Sequence, residues 1–133
     1  MRLFRAKLQQ NKWVQMHRLP RDEGLALIRG LGLSDFPDMC DDYYKVEGGV
    51  IAAVPSLLCG MEMHIAFSDK SKVRGSVANF CDVMGGTWWA IIRKERRSVI
   101  NSAIKAGFKF DRELKGLSVV DNIEREYIAL RRG

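Results

Sequence analysis

Cysteine and histidine are both scarce in this chain, and the scarcity closes off two classes of protein. Three cysteines, Cys40, Cys59 and Cys81, form an odd, widely spaced set with no C-x-x-C pair, beside only two histidines, His17 and His64. Neither a disulfide framework nor a zinc site is expected from such a set. The thiols are expected to act as small core hydrophobes in a reducing compartment, which points to a cytoplasmic location. Long apolar runs are missing as well. Trp88-Trp89-Ala90-Ile91-Ile92 is among the longest and falls far short of the ~20 residues that cross a bilayer, so no membrane partner is expected. The start, Met1-Arg2-Leu3-Phe4-Arg5, has no apolar stretch of the secretory kind. No segment combines low hydrophobicity with a run of like charge, which argues against disorder.

What the chain does have is 133 residues, 47% of them hydrophobic and 29% charged, with a formal net charge of +6. A globule of this length hides roughly 70% of the surface its unfolded chain exposes, enough for one core, and a single domain spanning 1–133 is predicted. Leu3 to Met16 reads as a strand, and a short helix follows Pro20, ending at Gly30 or Gly32. Ser34 to Asp42 is acidic and reads as a loop. The segments 42–47 and 50–54 flank Gly48-Gly49, a hairpin turn signal, and Pro55 closes the second strand. Met61 to Ser68 alternates, with Met61, Met63, Ile65 and Phe67 on one face and Glu62, His64, Ala66 and Ser68 on the other, the period of a half-buried strand. Residues 69–75 read as a basic loop. Val77, Phe80, Cys81 and Met84 then form one face of a helix over 76–84. Thr87 to Ile92 is a buried strand, Ser98 to Lys105 a second helix stopped by Gly107, and two strands around 108–114 and 124–130 finish the chain, joined through Gly116. The predicted class is α/β, with a mixed, mostly antiparallel sheet, a central parallel strand pair and flanking helices.

This order of elements resembles the GNAT superfamily of acyl-CoA N-acyltransferases. Glu47-Gly48-Gly49-Val50 sits where that family turns between its second and third strands, Met61 to Phe67 is similar to its fourth, Thr87 to Ile92 to its fifth, and Ala106-Gly107-Phe108 to the Gly-Phe that closes its last helix. The likeness covers roughly two thirds of the chain, from Tyr43 onward. The family's loop signature, Gln/Arg-x-x-Gly-x-Gly/Ala, lets backbone amides approach the coenzyme A pyrophosphate. Here that register reads Arg74-Gly75-Ser76-Val77-Ala78-Asn79, so Val77 and Asn79 depart from it. Arg96 and Ala103 stand where many members carry an Asn and a thiolate-protonating Tyr.

The resemblance implies acetyl-CoA as co-substrate and acetyl transfer to a primary amine on a small molecule or protein. It also implies that backbone groups of Ile65, Ala66 and Phe67 bind the pantetheine arm and that Lys72, Arg74 and the Gly75-Ser76-Val77-Ala78 stretch meet the phosphates. An amine must lose a proton before it attacks. Glu62 is the first candidate base, His64 the second and Asp69 a weaker third, although Glu62 and His64 also read as ordinary polar residues on the open face of a strand. Trp88 and Trp89, being consecutive, face opposite sides, both buried or one bordering the groove. One of Tyr43 and Tyr44 is expected in the core. The basic run Arg93 to Arg97, with Arg131-Arg132 and scattered N-terminal residues from Arg2 to Arg21, suits either general solvation or contact with phosphates, nucleic acid or an acidic protein. The eroded motif positions resemble those of GNAT-like proteins encoded by tailed phages. The alternative reading is therefore a catalytically inactive structural component, in head assembly or the virion, with nucleic acid or a virion protein as partner.

Overall fold

The computed structural model describes residues 2–7, 13–118 and 120–133. Its elements run β1 (Arg2–Lys7), β2 (Trp13–Leu19), α1 (Arg21–Gly30), β3 (Asp42–Val46), β4 (Gly49–Pro55), β5 (Met61–Phe67), α2 (Val73–Met84), β6 (Trp88–Arg93), α3 (Arg97–Lys105), β7 (Lys109–Leu117) and β8 (Glu124–Arg132). All strands join one eight-stranded sheet in the order β1-β2-β3-β4-β5-β6-β8-β7. Every neighbouring pair is antiparallel except β5 and β6, so the mixed sheet with one central parallel pair is as the sequence predicts.

The layers follow from side-chain parity. Along β5, Met63 and Phe67 pack with Val77, Phe80 and Cys81 of α2, while Ala66 packs with Ile28 of α1 and with Phe36, Cys40 and Tyr43. The strand is therefore covered on both faces. Phe80 lies edge-on to Tyr44 at 5.1 Å and to Trp88 at 5.0 Å, so α2 bridges β3 on one side of the sheet's centre and β6 on the other. Helix α1 starts after Pro20, carries Asp22 and Glu23 in its first turn and Arg29 in its last, and so matches the helix dipole at both ends. It reaches the sheet through Gly24 and Ile28, one turn apart. A Cβ on Gly24 would lie 2.3 Å from Cβ of Tyr43, a spacing that admits only hydrogen.

Several expectations are corrected. Leu3 to Met16 is not one strand but parts of two, β1 and β2, paired from Arg2↔Arg18 to Lys7↔Trp13; their connection lies outside the described residues. Helix α2 begins at Val73 rather than Ser76, because Asp69 accepts from the backbone N–H and the hydroxyl of Ser71 and starts a 3-10 turn over Lys70–Lys72 that runs into the helix. Gly116 is inside β7, opposite Arg125, and the turn falls after Leu117. Both Tyr43 and Tyr44 are buried where one was expected in the core, while the burial of both Trp88 and Trp89 agrees with expectation. Cys40 and Cys81 are core residues, whereas Cys59 is exposed in the turn between β4 and β5.

Two measurements check this packing. Gly24→Ala should lower stability in urea unfolding by about 1–3 kcal/mol through overpacking against Tyr43, while Gly30→Ala, whose Cβ meets nothing within 4 Å, should be neutral or stabilising. Burial pushes the Cys40 and Cys81 thiols up to about 11. Ellman's reagent at about pH 8 should therefore modify one thiol rapidly, and Cys59→Ser should abolish that phase; two or more fast thiols in the folded protein would contradict the burial.

Candidate functional site

The centre of the sheet is only lightly stitched. Strands β5 and β6 pair at Met61↔Trp88 and Glu62↔Trp89 and no further, although β5 continues to Phe67 and β6 to Arg93. Beyond the second rung they separate and leave a slot. The N–H of Met61 donates to the Thr87 carbonyl (2.9 Å), which sets the alternation: backbone groups of odd-numbered β5 residues point toward β6. Ile65 and Phe67 therefore turn N–H and C=O into the slot. Ala66 does not. Its backbone faces β4, where its register partner is Val50, and its side chain is in the α1-side core, so the expectation that all three residues line the slot is corrected for Ala66.

Because β5 and β6 run parallel, the helices that follow them, α2 and α3, both begin at the same end of the slot. A crevice outside the carboxyl ends of parallel strands is a general ligand position, and helix N-termini offer free amides to anions. The first turn of α2 spans Val73 to Ser76, and it includes Arg74 and Gly75 from the expected cradle. The remaining members fit less well. Val77 is buried in the core, Ala78 is in the helix body, and Asn79 lies in the second turn with both amide atoms shielded and unpartnered among the described residues. The motif register taken from sequence therefore runs past the cradle, which ends at Ser76. Ser76 is itself tied down, its hydroxyl donating to the Glu47 carbonyl at 2.7 Å. Lys72 is also engaged, 2.9 Å from Glu47, whose hydrogen bond and charge raise the Lys72 pKa. Gly48, at φ +84, lets the β3–β4 turn sit against the Lys72 side chain. Lys94 pairs with Glu113 at 2.6 Å. Among the described residues Arg74, Arg93, Arg96 and Arg97 form no ion pair, and they carry the free positive charge at this end.

Glu62 and His64 lie together on the α1 side of β5. His64 Nε2 is 2.9 Å from Glu62 Oε2, and each side chain is 25% exposed, so both are more sheltered than an open strand face would leave them. The contact is out of line with the ring N–H, which leaves Nε2 without an aligned hydrogen bond. Phe36, from the loop after α1, meets the His64 ring edge-on at 5.3 Å. Cys40 is close enough for the Glu62 charge to add to the burial that raises its pKa. Asp69 is unsuited to act as base: its hydrogen bonds from Ser71 lower its pKa, and it caps the 3-10 turn. Ala103 packs against the α2-side core, and no acid stands at that point of α3.

The sequence reading missed the surroundings of this pair. Trp89 is the register neighbour of Glu62 on the same face, and the guanidinium carbons of Arg112 and Arg131 lie 5.9 and 5.8 Å from its ring centroid. These residues come from β6, β7 and β8, and no local signal links them. Among the described residues no group of His, Cys, Asp and Glu is placed to hold a metal ion, and no helix is long and apolar enough to cross a membrane.

No family model and no curated protein matches the sequence. Solved structures do match. The ribosomal-protein-S5-alanine acetyltransferase from Vibrio fischeri superposes with a TM-score of 0.65 at 9% identity, over 97% of this chain and 96% of that one. A variant of the spermidine N-acetyltransferase from Vibrio cholerae superposes at 0.66 with 8% identity, over 90% of this chain and 92% of that one. The microcin C7 self-immunity acetyltransferase, in complex with acetyl-CoA and AMP, superposes at 0.51 with 10% identity, over 68% of this chain and 58% of that one. Likeness at such low identity is a likeness of backbone, and it agrees with the strand order, the lone parallel pair and the slot between its strands. The chain has the fold of the GNAT N-acyltransferases.

Proposed function

We propose that this protein transfers an acetyl group from acetyl-CoA to a primary amine. The observation that carries the reading is the slot that opens beyond Glu62↔Trp89, with backbone groups of Ile65 and Phe67 along one wall and the Glu62–His64 pair at its closed end. Acetyl-CoA would supply an activated acyl group and a thiolate able to leave. The backbone N–H and C=O of Ile65 and Phe67 have the spacing to hold an extended amide-bearing arm as a strand would. The first-turn amides of α2 together with Arg74, Arg93, Arg96 and Arg97 offer donors and positive charge to its phosphates.

On the other side of the sheet, the Glu62 carboxylate takes the proton from the incoming ammonium, directly or through water, so that the amine nitrogen has a free lone pair when it meets the acyl carbon. His64, 2.9 Å away, is the second group able to accept a proton. Holding amine and thioester in the right geometry is itself worth several kcal/mol. Since Ala103 and its neighbours on α3 provide no acid, the departing thiolate takes its proton from solvent.

Acetyl-CoA at 100 times its dissociation constant should stabilise the fold by ~2.7 kcal/mol, read as a rise in melting temperature; no rise at millimolar coenzyme would overturn the reading in favour of a non-catalytic binding or structural role. In a thiol-release assay with amine acceptors, Glu62→Gln should lower kcat by about 10²- to 10⁴-fold and His64→Gln by much less. The reverse order would make His64 the base.

A further inference from the structure

The two halves of the sheet are dressed differently on the side that carries Glu62. Helix α1 and the loop after it cover β3 and β4, whereas among the described residues no helix covers the same face of β6, β8 and β7. Register places Trp89 and Ile91 of β6, Ala129 and Arg131 of β8, and Lys109 and Arg112 of β7 on that uncovered face. Even so Trp89 is only 1% exposed, because long arginine side chains roof it in place of a helix.

A guanidinium resting over an indole is held by cation–π attraction, while the N–H edge of its planar fork stays open to an oxyanion. Arg131 and Lys109 have no ion-pair partner among the described residues. Arg112 is met by Asp111 at its Nε (2.6 Å), which leaves its two terminal nitrogens free. Asp111 offsets the charge of Arg112, so the uncompensated positive charge here is that of Arg131 and Lys109. Inside the roof the Trp89 indole N–H is a buried donor without a partner. A cleft of about 500 Å³ at the β7–β8 end of the sheet is lined by Lys109, Asp111 and Arg131 together with Phe110 and Arg132, and it meets the roof at Arg131. Trp89 is one strand from Glu62, Arg131 two and Arg112 three, so the arginine backbones stand roughly 10 and 14 Å from that of Glu62 at ordinary strand spacing, and their long side chains reach back over Trp89 to shorten the gap.

Resting on the acetyl-transfer reading, we propose that this roof selects the acceptor, a small primary amine bearing a carboxylate or phosphate whose oxygens are gripped by Arg112 and Arg131 while the amine reaches Glu62. A polycation such as spermidine would meet two or three like charges at the same place. The anion fixes the distance and direction of the amine, so its contribution is to orientation as well as to affinity.

Isothermal titration of the full chain with O-phosphoethanolamine, β-alanine, ethanolamine, propylamine and spermidine tests this directly and separates a phosphate from a carboxylate preference. One of the two anionic amines should bind at least about tenfold tighter than its uncharged counterpart. Arg131→Gln and, independently, Arg112→Gln should remove that advantage without changing the affinity for ethanolamine. Arg131→Lys should restore part of it, since the charge remains but the fork is lost. Melting temperatures of the variants confirm the fold. In the thiol-release assay the same variants should raise KM and lower kcat for the anionic acceptor. Equal affinity for charged and uncharged amines, tighter binding of spermidine, absence of binding by all five, or an advantage that survives both substitutions would overturn the proposal. Binding of an anionic amine that depends on Arg131 in a protein that does not bind acetyl-CoA would instead overturn acetyl transfer and leave the anion site standing.

Discussion

Two rungs of parallel pairing, Met61↔Trp88 and Glu62↔Trp89, are the constraint on which the rest of this structure depends. They join a five-stranded antiparallel half, β1 to β5, to a three-stranded half, β6-β8-β7. So short a ladder cannot hold two half-sheets together by hydrogen bonds alone, each worth about 1 kcal/mol net. The junction is held largely by packing, with Phe80 of α2 wedged edge-on between Tyr44 and Trp88 and wholly buried. The helix that clamps the halves on one face is also the helix whose first turn opens beside the slot. Stability and binding geometry thus share one element, and a longer β5–β6 ladder would gain hydrogen bonds only by closing the slot.

Charge is distributed to match. The net +6 is not spread evenly over the surface. Where a basic side chain meets an acidic one, as in Lys72–Glu47, Lys94–Glu113 and Arg21 with Asp38 and Asp41, the pair ties a turn or loop to its neighbour. Among the described residues, cations without an ion pair include Arg74, Arg93, Arg96 and Arg97 at the carboxyl ends of β5 and β6, and Arg131 and Lys109 by the roof over Trp89. These lie on the two sides of the junction, so an activated donor and an acceptor would approach Glu62 from different directions without competing for the same surface.

Much of the fold was legible in the residues. The β3–β4 hairpin announced itself through Gly48-Gly49, β5 through strict alternation, and the α1, α2 and α3 cores through helical spacing. The misreadings share a cause: a local pattern was completed by groups distant in sequence. Helix α2 starts three residues early because Asp69 and Ser71 build a lead-in turn, which moves Arg74 and Gly75 into its first turn. Alternation on β5 correctly put Glu62 and His64 on one face and Met63 and Phe67 on the other, but it carried no information about what would cover the polar side. Phe36 and Cys40 arrive there from the loop after α1.

Sequence alone determined the order of elements from α1 onward, the two faces of β5 and the absence of a membrane-length apolar helix among the described residues, because all of these depend on spacing within a dozen residues. Only the tertiary structure decided that β5 and β6 part after two rungs, that both tryptophans are buried, that Lys72 is occupied while Arg74 is free, and that Arg112 and Arg131 meet over Trp89 beside Glu62. The meeting of both arginines over Trp89 rests on the pairing of β6 with β8 and of β8 with β7, which brings Arg131 from 42 positions away and Arg112 from 23 to the same indole. Register across strands, unlike periodicity along them, is set by the packing of the whole sheet.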